Sequence, residues 1–108
     1  MVFDDLQLSR LAAEIEQCAN PMMGANPVTE SMELVEEMTT YAGKIRAWLG
    51  GLATPPPTEE QIVQIAGYLW DYGIAPNIPF MGAVMGKLWR AAFLAMVRQV
   101  YSEVVTGG

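Results

Sequence analysis

Apolar residues recur along this chain at intervals of three and four, the spacing that lines one side of an α-helix. From Asp4 to Ala19 the set is Leu8, Leu11, Ile15 and Cys18, with Asp4 and Asp5 in the first turn, where the helix dipole favours negative charge. A second helix is predicted from Thr29, its expected N-cap, with Met32, Val35, Met38, Ala42, Ile45 and Leu49 on its core side. The third opens on Thr58-Glu59-Glu60-Gln61, the capping-box pattern in which the Thr and Gln side chains each accept from the other's backbone N–H. Its core stripe is Ile62, Ile65, Ala66 and Leu69. Gly73 is the expected left-handed terminator, with Ile74 folding back on the last turn as in a Schellman motif. The fourth helix is expected from Ile78-Pro79 to about Val105.

Three proline- and glycine-rich breaks separate these segments: Asn20-Pro21 with Asn26-Pro27, Gly50 through Pro57, and Gly73 through Pro79. No run alternates with the period of a strand, and no internal repeat occurs. The expected fold is all-α, a four-helix bundle-like domain of two helical hairpins, 4–49 and 58–105. A Pro-rich connector, 50–57, joins them, and its bias toward polyproline geometry makes it a spacer.

Residues 81–97, MGAVMGKLWRAAFLAMV, pose the sharpest question, being apolar enough to resemble half a membrane span while carrying Lys87 and Arg90. Placing each cation near a bilayer centre costs about 2.5 to 3.5 kcal/mol. At roughly 100° per residue the charges are not scattered. Gly82, Gly86, Trp89, Phe93, Met96, Val97, Val100 and Val104 share one side, and Lys87, Arg90 and Arg98 share another. That arrangement suits a helix with its greasy side on a core and its cationic side toward water, a row of carboxylates or a partner. Leu94, Ala91 and Tyr101 lie on the cationic side too, an apolar excess that a short chain is expected to leave uncovered. Gly82 and Gly86 stand in small-xxx-small spacing, which lets helix backbones approach closely, either the third helix near Ala66 or a second copy.

Composition narrows the function classes. The 108 residues are enough for one domain, and 52% are apolar against 17% charged, a composition that folds. Twelve acidic residues against six basic ones leave a net charge of −6, which disfavours direct binding to nucleic acid or to anionic membranes. A lone Cys18 and no histidine supply neither an internal disulfide nor a soft-ligand metal site, so no cofactor or metal is expected. MVFDDLQLSR carries aspartates where a secretory signal carries positive charge, so the expected location is the cytoplasm.

Catalytic residue types are sparse. Glu30, Glu33, Glu36 and Glu37 crowd the second helix, but the helical two-metal pattern needs Glu-x-x-His pairs, so the row reads as a solvated face or as a counterpart for Lys87, Arg90 and Arg98. Lys44 and Arg46 follow near its C-terminal end, where the dipole favours cations. Cys18 lies on an apolar stripe with no base beside it, and Ser9, Ser31 and Ser102 lack a Gly-x-Ser-x-Gly setting. Tyr68, Trp70, Asp71 and Tyr72 form a dense aromatic patch of the kind interfaces favour. Eight methionines add side chains that adapt to varied apolar partners.

Trp48-Leu49-Gly50 resembles the Trp-x-Gly turn of the small secreted helical-hairpin proteins named for that motif. The likeness stops at those residues: prolines 21, 27, 55, 56, 57, 76 and 79 interrupt the long helices that family requires, and no acidic residue follows Tyr101 by four. The expected function is therefore non-enzymatic protein binding, by self-association into a homo-oligomer or by holding a protein partner. The expected interface comprises Tyr68, Trp70 and Tyr72 on the third helix with Gly82, Gly86, Lys87, Arg90, Leu94, Arg98 and Tyr101 on the fourth. Two alternatives are a structural or assembly component of a larger particle, of phage or secretion type, and an enzyme or small-ligand binder built on the carboxylates of the second helix.

Overall fold

Four α-helices make up nearly all of the described chain, which comprises residues 5–17, 26–51 and 57–106 of a computed structural model. They are α1 (Asp5–Gln17), α2 (Pro27–Gly50), α3 (Glu59–Leu69) and α4 (Ala83–Thr106). The fold is all-α and bundle-like, with no strand among the described residues. Cys18 and most of the connector, residues 52–56, lie outside the described residues, as does the side chain of Leu8.

Local chemistry explains each boundary. Asn26, not Thr29, caps α2: its Oδ1 accepts from the Thr29 N–H at 2.9 Å, with Pro27 in the first turn, where a missing N–H costs nothing. At Thr58 the capping box forms as the sequence predicts, with Gln61 N–H donating to Oγ1 at 3.2 Å and Thr58 N–H donating to Gln61 Oε1 at 2.8 Å. α3 does not stop at a left-handed Gly73. It widens into a π-helical turn, Trp70–Ile74, and then tightens into a 3-10 turn, Ala75–Asn77. Pro76 ends the run, because an interior proline lacks the N–H an α-helix needs and collides with the preceding turn. Gly73 has a different use: a Cβ there would stand 3.1 Å from the Ala12 backbone carbonyl, so glycine lets α1 approach closely. α4 begins at Ala83, after a turn in which Met81 N–H donates to Ile78 O at 3.3 Å.

Contacts fix the directions. α4 runs antiparallel to α3, pairing Arg90 with Asp71 at one end and Arg98 with Glu59 at the other. It runs parallel to α2, since Glu30 meets Phe80 and Arg46 meets Glu103. α1 and α3 are parallel as well, with Ser9 beside Tyr68 and Ala12 beside Gly73. One core joins all four helices. It holds Leu11 and Ile15 of α1, Leu34, Tyr41, Ile45 and Leu49 of α2, Ile62, Ile65 and Leu69 of α3, and Phe93, Val97 and Val100 of α4. Trp70 packs on Phe93 with ring centroids 5.7 Å apart, a tilted contact of the kind aromatic pairs favour.

The core side of α4 is the one its periodicity predicts, and that of α2 is not. Ile45 and Leu49 are buried as expected, but in the N-terminal half the buried positions are Glu30 and Leu34, while Met32 and Val35 face outward. The N-terminal half of α2 is thus rotated relative to the expected stripe, leaving a second apolar side uncovered.

Candidate interaction surface

The residues expected to form an interface divide three ways. Trp70 is buried in the core, and Leu94 and Tyr101 are partly buried and pack against that core. Tyr101 also donates from its hydroxyl to Pro57 O at 2.6 Å, tying α4 to the start of α3. α3 therefore covers the part of this side that holds Leu94 and Tyr101, while Lys87, Ala91 and Arg98 stay exposed. Arg90 and Arg98 point to that neighbour, at 3.5 and 2.5 Å from Asp71 and Glu59, rather than to the acidic row of α2. Lys87 is exposed and makes no ion pair with a described residue. Of the aromatic patch, Tyr72 is exposed and lies tilted by 40° against half-buried Tyr68 at 4.6 Å between centroids, and the Tyr68 hydroxyl lies 3.1 Å from Ser9 Oγ. No described helix of the chain crosses closely at Gly82 or Gly86, since nothing lies within 4 Å of where their Cβ atoms would stand.

The uncovered apolar surface lies elsewhere, where the N-terminal halves of α2 and α4 run side by side. Val28, Met32 and Val35 project from α2, at 69, 62 and 58% exposure. Phe80, Val84, Met85 and Leu88 project from α4 and the turn before it, at 54, 74, 46 and 60%. Between the two rows lies a groove of about 330 Å³ lined by Val28, Ser31, Met32, Met81, Gly82 and Met85. Single exposed apolar residues are ordinary on folded proteins, whereas seven large ones gathered around one groove are not. Val84 and Leu88 stand at helical spacing out of phase with the core stripe of α4, whereas Met32 and Val35 fall on the stripe that spacing assigns to the core of α2.

Glu30 holds this surface in shape. Its side chain is fully buried in the first turn of α2, and its Oε1 accepts from the Phe80 N–H at 2.8 Å across 50 residues of sequence. Oε2 is buried and makes no hydrogen bond with any described residue. The helix N-terminus offers partial positive charge there, a setting that favours a carboxylate. Reading the four glutamates as a solvated face therefore fails for Glu30, which is a structural anchor for the turn leading into α4. Glu37 also departs from ordinary behaviour. Partial burial, then the charges of Glu33 and Glu36, push its carboxyl above the usual glutamate range.

A shallow cleft of about 490 Å³ on the outer side of α4 is bordered by Arg98, Gln99, Ser102 and Thr106, with Arg98 engaged by Glu59. Among the described residues, no three Cys, Asp or Glu side chains converge as metal ligands would. Nor is any helix among them long and apolar enough to cross a membrane. No protein-family model matches the chain, and comparison with curated proteins and with solved structures returns no significant match.

Proposed function

We propose that this protein is a non-enzymatic helical interaction protein that docks a protein partner on the apolar face shared by α2 and α4. The observation that carries the reading is the row of large side chains from Val28 to Leu88, half or more exposed for the most part and arranged around one groove. Burying such a surface releases on the order of 25 cal/mol per Å² of apolar area, so covering it is strongly favoured. The net charge of −6 argues for a protein partner over a nucleic acid or an anionic lipid surface. Methionines at the groove, Met32, Met81 and Met85, supply side chains that reshape readily against an apolar partner. The face differs from the one the sequence suggested, on the aromatic patch and the cationic side of α4, but the class of function is the same.

Methionine oxidation tests the proposal directly. Met32 and Met85 are open in the isolated chain, whereas Met38 and Met96 are partly buried and serve as internal controls. In the cells that make the protein, Met32 and Met85 should oxidise several-fold more slowly than in dilute purified protein, with Met38 and Met96 unchanged. Equal rates for Met32 and Met85 in the two settings would refute docking on this face.

A further inference from the structure

We infer that the occupant of the α2/α4 face is a second copy of the chain, set about a two-fold axis running along the helices, so that α2 of each copy lies on α4 of the other. The inference rests on the docking proposal and adds the partner's identity and orientation. The first support is area. Seven large side chains, each 46 to 74% exposed, supply an apolar centre for an interface of standard size, which takes about 800 Å² from each partner.

The second is charge order. At roughly 100° per residue, Glu36 lies on the flank of the α2 stripe away from α4, and Lys87 lies on the flank of the α4 stripe away from α2. Across the face the order is therefore acid, apolar row, groove, apolar row, cation. Both charged groups are exposed, and neither has an ion-pair partner among the described residues. Rotation about an axis along the helices reverses that order, so each copy's Glu36 edge meets the other's Lys87 edge. Rotation about an axis across the helices would set acid on acid and cation on cation, which costs rather than stabilises.

Height along the helices is the third. Met32 and Met85 line one groove, and Glu30 meets Phe80, which brings Glu36 and Lys87 to within about one turn of the same level. A rotation about the helix direction preserves level, so the two charges come within reach of each other across the interface. Val28, Met32 and Val35 of one copy then cover Val84, Met85 and Leu88 of the other.

The experiment is molar mass by sedimentation of the full chain across micromolar to millimolar concentration, for the wild type, Lys87→Glu, Glu36→Lys and the double exchange. The wild type should reach twice the chain mass of 11.8 kDa. Each single exchange creates two like-charge contacts per dimer and should weaken association about tenfold, while the double exchange restores it to within about threefold. Leu88→Asp, on an exposed position, should abolish the dimer with the helical circular dichroism unchanged. A wild-type chain that stays monomeric at millimolar concentration, or a double exchange no tighter than the single ones, would overturn the inference. A monomer in isolation whose Met32 and Met85 remain protected in cells would overturn the second-copy assignment alone and leave docking of a different protein standing.

Discussion

Replacing Glu30 with alanine should loosen the whole α2/α4 face, and the size of the effect follows from its contacts. The substitution removes a charge-assisted hydrogen bond to the Phe80 N–H, an interaction worth about 1.5 to 3 kcal/mol. It also removes a carboxylate from the first turn of α2, where the dipole contributes about 0.3 to 1 kcal/mol. Loss of the buried Oε2, which has no hydrogen-bond partner among the described residues, offsets part of that. The net destabilisation is about 1 to 3 kcal/mol, which at about 4 °C per kcal/mol lowers the Tm by roughly 4 to 12 °C. Glu30→Gln keeps an acceptor for Phe80 and should lose less than alanine does. Thermal melts followed at 222 nm read the ranking, and amide exchange reads the site: residues 80–86 should exchange faster in Glu30→Ala, with the α3 amides little changed. A Glu30→Ala protein within about 0.5 kcal/mol of wild type, a margin typical of surface substitutions, would refute the anchoring role.

Three further outcomes rest on separate groups. Gly73→Ala presses a Cβ against the Ala12 backbone at 3.1 Å and should cost about 1 to 3 kcal/mol in urea denaturation, since a packed backbone yields poorly. Gly67→Ala presses only against the tip of Arg90, which swings aside, so the helix preference for alanine should leave the protein unchanged or more stable by up to about 1 kcal/mol. Glu37 gives a pH signature: its folded carboxyl titrates above the ordinary glutamate range, so the folded state holds the proton more tightly than the unfolded chain does. Its contribution is full below the ordinary range and is lost as pH rises through the raised value, so the stability of Glu37→Gln relative to wild type should increase over that interval. A relative stability flat across the interval would exclude the effect.

Much of the architecture is legible in residue spacing, and the departures have physical causes. The Thr58–Gln61 capping box and the Phe93, Val97 and Val100 stripe appear in the structure where their spacing puts them, because each depends on residues within one helix. α2 misleads because it carries apolar residues on two sides. Leu34 and Tyr41 compete with Met32 and Val35 for the core, and only the positions of α1 and α4 decide between them. Glu30 is unreadable from local pattern, since its partner is a backbone N–H far along the chain. Gly73 looks like a terminator because glycine ends many helices, yet the neighbour that requires it belongs to α1. The aromatic patch divides, with Tyr72 exposed and Trp70 in the core. Trp70 turns inward only because Phe93 of α4 is there to receive it.

The parallel pairing of α2 with α4 has a consequence for synthesis. Arg46 finds Glu103 across 57 residues of sequence, so α2 emerges long before the helix that seals it has been translated. At about 5 to 20 residues per second the gap lasts roughly 3 to 11 s. Throughout that interval the side of α2 that α4 comes to cover stays bare, with only the earlier helices beside it.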